Sequence, residues 1–73
     1  MSDDNGAMPL NIDFIRQRRE QLGLTQQQAA DAAGFPNLQK WSQYENGRIP
    51  DPQLSTLEAI ARALRCKMAR IIR

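Results

Sequence analysis

Gly23, Gly34 and Gly47 stand where successive runs of helix-spaced apolar residues give out, so the chain is cut into pieces too short for anything but small helices. In the first piece Ile12, Ile15, Arg19 and Leu22 share one helical face, with Arg16, Gln17, Glu20 and Gln21 mostly on the other. The spacing predicts a helix over 12–22 that Gly23 ends in a left-handed conformation. Thr25 with Gln28 three residues on is a capping-box signature, and it opens a second helix over 26–33. Gly34-Phe35-Pro36 breaks that helix, because proline disfavours helical geometry in the residue before it. Asn37 then caps a third helix, over 38–46, which Gly47 stops. Arg48-Ile49-Pro50-Asp51-Pro52 reads as a loop, with Asp51 capping a fourth helix that begins at Pro52 and carries the stripe Leu54, Leu57, Ile60, Ala61 and Leu64. A short fifth helix carries Met68, Ile71 and Ile72. With no valine and no alternating run, nothing predicts a strand. The fold class expected is all-α, a compact bundle of five short helices in one domain over 11–73, preceded by a disordered arm over 1–10.

A chain of 73 residues is expected to hold one small core and no appended sensing domain. It contains no histidine, which removes the commonest general base and metal ligand. Its single cysteine, Cys66, makes no internal disulfide or zinc site, and is expected to pack as a small apolar residue where two helices join. No paired carboxylates, nucleophile with base or phosphate-binding glycine loop can be assembled, so catalysis is not expected, nor is a cofactor or a metal. Nothing approaches the roughly 20 apolar residues of a membrane helix, and the start of the chain is acidic, so a cytoplasmic location is expected. Lys and Arg number 10 against 8 Asp and Glu, a net charge of +2; removing the two negative charges of Asp3 and Asp4 leaves 11–73 at +4. That balance alone is a weak pointer to a polyanionic partner.

Position says more. Between Thr25 and Gly47 two short helices flank a tight turn. Ala29, Ala30, Ala32 and Ala33 let a second helix cross closely, while Phe35, Trp41 and Tyr44 supply bulk from the other side. If Leu38, Trp41 and Tyr44 point inward, the third helix turns Gln39, Lys40 and Gln43 outward, with Asn37 at its start. Long amides pair bidentately with adenine in the major groove, and lysine favours guanine or phosphate. Gln26, Gln27 and Gln28 crowd a helix N-terminus, which favours a phosphate. No acid lies between Asp31 and Glu45. Set against this, an alanine-rich hairpin with a solvated glutamine face accounts for the same residues, and Trp41 fits a core position better than an exposed wedge. Arg19 and Glu45 are each a charge on an otherwise apolar stripe, and a buried charge requires a partner, so the two are expected to form a structural ion pair. Arg16 and Arg18 read as solvated, with a phosphate contact as the alternative. Arg62, Arg65, Lys67, Arg70 and Arg73 make a basic end that serves solubility, a linker or a contact with another chain.

Over residues 12–72 the sequence resembles the phage-repressor (Cro/C1-type) helix-turn-helix family. Gly23-Leu24-Thr25-Gln26 is similar to that family's opening of its second helix, Ala30 and Gly34 fall at its close-packing alanine and turn glycine, and Glu45-Asn46-Gly47 is similar to the end of its recognition helix. Thr56-Leu57, Ile60-Ala61 and Ala63-Leu64 resemble its fourth helix. The stretch from Gly34 to Glu45 is one residue longer than the family's, so the register of the third helix is counted from Glu45. Ala29 and Ala33 stand where the family often has leucine, a volume left to Trp41 and Phe35.

The resemblance implies a lambda-repressor-like fold whose third helix reads double-stranded DNA. Asn37, Gln39, Lys40 and Gln43 would face bases, and Gln26, Asn46 and Arg48 would hold phosphates. It also implies the Arg19 to Glu45 pairing. A transcriptional regulator, a repressor acting as a homodimer, is the function expected. Met68, Ile71 and Ile72 either form the dimer interface or complete the monomer core. The alternatives are an antitoxin or controller-type autoregulator with a protein partner such as a toxin, and a protein-interaction module that has lost DNA binding.

Overall fold

A computed structural model of the chain describes residues 10–49 and 52–72, and within them the only regular elements are five helices. They are α1 (Ile12–Gln21), α2 (Gln26–Ala33), α3 (Leu38–Glu45), α4 (Leu54–Ala63) and α5 (Met68–Ile71). The first three start at side-chain caps: Asn11 Oδ1 accepts from the Phe14 amide, Thr25 and Gln28 complete a reciprocal capping box, and Asn37 Oδ1 accepts from the Lys40 amide at 3.0 Å.

Four helices stop in the same way. The amide of Leu24 donates to Arg19 O, Phe35 to Ala30 O, Arg48 to Gln43 O and Cys66 to Ala61 O, at 2.9–3.1 Å, each closing a six-residue loop around one residue in the left-handed region. At the ends of α1, α2 and α3 that residue is Gly23, Gly34 or Gly47, with φ between +72° and +78°. Glycine is required there by backbone angle and not by space, since a Cβ would meet nothing at the first two and only ordinary contact at the third. At the end of α4 the left-handed residue is Arg65, at φ +53°. No glycine marks that stop in the sequence.

Two expectations are corrected along the chain. α4 begins at Leu54 with Gln53 as its cap, because Gln53 is still extended and its carbonyl accepts the first helical bond, from Leu57. Pro52 therefore precedes the helix, while Asp51, the expected cap, lies outside the described residues. Leu10, assigned above to the arm, is buried: it bridges Ile72 in antiparallel fashion, and Asn11 N–H donates to Ile71 O at 2.9 Å. An apolar side chain next to two paired backbone groups is held where composition alone suggested a free tail. The remainder of that arm, residues 1–9, lies outside the described residues.

The core is built from Ile15, Trp41, Leu57, Ile60, Leu64 and Ile71, all but inaccessible. α2 packs against α3 and α4, α1 against α3 and α5, and α4 against α5. Ala29 and Ala30 are wholly buried, so the small side chains let α2 sit close to both of its neighbours. Bulk comes from an aromatic cluster in which the Phe35 ring lies 6.0 Å from Trp41 and 5.6 Å from Tyr44. Trp41 is a core residue, 1% exposed. Ile71 is fully buried, with Met68 and Ile72 packed half-buried beside it, so this end completes the monomer's own core. Cys66 is half-buried against the same core, and burial pushes its thiol pKa up.

Arg18 ties the two ends of the fold together. Expected to be solvated, it instead donates from Nε to Leu64 O at 2.9 Å and from its guanidinium to Arg65 O at 3.3 Å. A cation is thereby held against the carbonyl end of α4, where the helix dipole favours one. Arg70 adds a second tie, its guanidinium 5.0 Å from the centre of the Phe14 ring.

Candidate nucleic-acid interface

The rotation of α3 about its axis decides which of its side chains face outward, and that rotation follows from what is drawn inward. Trp41, Tyr44 and Glu45 are buried. Glu45, only 1% exposed, accepts from Arg19 Nε at 2.8 Å and from Gln26 Nε2 at 2.6 Å. The same guanidinium donates to Leu24 O at 2.8 Å, so Arg19 joins α1, the turn before α2 and the last residue of α3. Burial pushes the Glu45 carboxyl pKa up; the hydrogen bonds from Arg19 and Gln26 and the positive charges of Arg19 and Arg16 outweigh that and hold it below its ordinary value. The carboxylate is therefore ionised but matched, and it contributes no negative charge to the surface.

With Trp41, Tyr44 and Glu45 inside, the opposite side presents Gln39, Ser42, Gln43 and Asn46, Leu38 joins them from the first turn, and Arg48 follows at the end of the helix; together they line one shallow open surface. Of the expected site residues, Gln39, Gln43, Asn46 and Arg48 are thus brought together. Lys40 lies on a flank, its Nζ 5.9 Å from the centre of the Tyr44 ring. Asn37 engages its side-chain oxygen in the α3 cap, which leaves its amide N–H groups to face outward. Gln26 gives an amide hydrogen to Glu45 and has a second to offer. Asn46 donates from Nδ2 to Ser42 Oγ at 3.1 Å.

Leu38 departs from expectation. The expected inward stripe is Leu38, Trp41 and Tyr44, yet Leu38 is 39% exposed and lines the outward surface. Leu38 stands seven residues before Glu45 and at about 100° per residue shares its side of the helix, but it is the first residue of α3, with no preceding turn to cover it. Ser42, which the sequence reading does not single out, lines the same surface. Its position, one turn before Asn46 and three residues after Gln39, was the available signal.

α2 and α3 are joined by the tight turn at Gly34, and the outward surface of α3 carries amides and a cation but no acid, the arrangement of a helix-turn-helix. Over residues 13–70 the chain matches the family described as helix-turn-helix domain, and it belongs to that family. It is accordingly a helix-turn-helix DNA-binding domain. No curated protein and no solved structure gives a match to the chain. Among the described residues no helix is long and apolar enough to cross a membrane.

Proposed function

We propose that this chain is a sequence-specific transcriptional regulator of the phage-repressor (Cro/C1) type, a repressor that lays α3 in the major groove of double-stranded DNA. The observation that carries this reading is the outward surface of α3, where Gln39 and Gln43 stand one turn apart with no carboxylate beside them. Each amide has the donor and acceptor that adenine presents in reverse. Arg48 and Asn46, at the far end of the same surface, hold the backbone, and the second amide hydrogen of Gln26 takes a phosphate on the other side of the turn. Lys40 reaches a guanine or a phosphate from the flank. Asn37, its oxygen engaged in the cap, acts as a donor and does not pair bidentately.

One such module buries limited surface on DNA, so two copies reading half-sites about one helical turn apart supply the specificity a regulator needs. Because Ile71 is part of the monomer core, the pairing of copies does not run through that residue. The test is selection of sites from a random duplex library at two salt concentrations, which separates backbone attraction from base reading. Enrichment of a short inverted repeat is the expected result. Salt-sensitive binding without enrichment, or no binding, overturns the reading and favours a protein-interaction role.

A further inference from the structure

The polar reading of α3 leaves Leu38 unused. It is a large apolar side chain, 39% exposed, set among the amides and hydroxyl of Gln39, Ser42 and Gln43 on the surface proposed to enter the groove. It does not cap the helix, since Asn37 does. It is not among the buried residues of α3, which are Trp41, Tyr44 and Glu45. It occupies the first turn of α3, and in helix-turn-helix proteins residues near the start of this helix reach base edges. The major groove offers such a side chain one apolar partner, the C5-methyl group of thymine.

We infer that Leu38 is a specificity-determining residue that packs against a thymine methyl, so that each half-site requires thymine at one position. The inference rests on the proposed DNA reading and adds to it a contact made without hydrogen bonds. Gln39, next in sequence, is suited to adenine; the thymine paired with such an adenine, or one in the adjoining step, carries its methyl into the same groove. A cytosine there puts a hydrated amino group against the leucine, which desolvates it without offering a partner.

The experiment uses the full chain and a duplex recovered by site selection, with each thymine replaced in turn by deoxyuridine, which keeps every hydrogen-bonding group and lacks only the methyl. At one thymine per half-site wild-type affinity is expected to fall roughly three- to fivefold, the scale of returning one methyl to water. Leu38→Ala is expected to bind the thymine and uracil duplexes equally at that position, and Leu38→Met to keep the preference. Unfolding midpoints of both variants near wild type show that the fold is intact. Equal wild-type affinity for all the uracil duplexes, or a preference that survives in Leu38→Ala, overturns the inference while leaving the DNA reading standing. Recovery of no preferred duplex overturns both.

Discussion

Arg19 Nε lies 2.8 Å from Glu45 Oε2, and this single contact joins the last turn of α1 to the last residue of α3. Breaking a buried pair from one side leaves the other charge without a counterpart, at a cost of about 3–5 kcal/mol. Glu45→Ala is therefore expected to lose about 3 kcal/mol of stability, toward the lower end because Arg19 keeps some access to water. For a small domain that is a large share of a total of about 5–15 kcal/mol. Urea unfolding measures it. A Glu45→Ala protein with an unchanged midpoint but no DNA binding would show instead that the carboxylate belongs to the interface.

The same carboxylate predicts how stability responds to acid. Its folded-state pKa is depressed, so its contribution is fully present above the unfolded value, about 4.5, and is lost as pH falls from there through the lower folded value. Urea midpoints of the wild type should hold steady from neutral pH to about 5 and then decline. Glu45→Gln, which has nothing to titrate at this position, should start lower and show a shallower acid slope. Parallel slopes would remove Glu45 as the source.

Arg18 is expected to matter for folding and not for DNA. Its hydrogen bonds to Leu64 O and Arg65 O are charge-assisted, a class worth about 1.5–3 kcal/mol each; the first is part-buried and the second exposed, so the pair together is placed in the range of one. Arg18→Gln should lower stability by about 1.5–3 kcal/mol while duplex affinity and its salt dependence stay as they were. A reduced salt slope would place Arg18 on a phosphate.

Arg65 holds a backbone conformation that costs an L-residue roughly 1–2 kcal/mol, part of which glycine gives back as greater freedom in the unfolded chain. Arg65→Gly should therefore stabilise by about 0.5–1 kcal/mol, a rise of several degrees in Tm for a domain of this size. The carbonyl that accepts from Arg18 is untouched by the change. Calorimetry decides it, and a lowered Tm would show that the Arg65 side chain contributes more than its backbone costs.

Gln43 and Arg48 line one surface but are assigned different work. Gln43→Ala should flatten the preference for one base pair, with binding to unrelated duplexes little changed. Arg48→Ala should weaken all duplexes alike and reduce the salt slope by about 0.9, one released counterion. A uniform loss from Gln43→Ala would remove it from base reading.

Much of the helical framework is legible in the residues because it rests on neighbours. The caps at Thr25 and Asn37 bond within three residues, and the stops at Gly23, Gly34 and Gly47 are imposed by local backbone angle. Where a local signal is missing, the reading fails in step: the stop at Arg65 has no glycine to announce it, and α4 starts without a side-chain cap, so its first residue was placed two positions early. The burial of Leu10 depends on Ile72, at the other end of the chain, and the role of Arg18 on carbonyls 46 and 47 residues away.

By itself the amino-acid sequence determined that this chain forms short helices with an acid-free polar stretch between Asp31 and Glu45, because caps, stops and side-chain charge act within a turn or two of helix. Tertiary structure alone decided how α3 is rotated, so that Ser42 joins Gln39 and Gln43 on the outward surface, and how far its first turn is covered, so that Leu38 stays exposed beside them. Helical periodicity leaves that rotation free within a wide arc. It is settled only when Glu45 meets Arg19 from α1 and Gln26 from α2, contacts made across 26 and 19 residues of chain once the helices have packed.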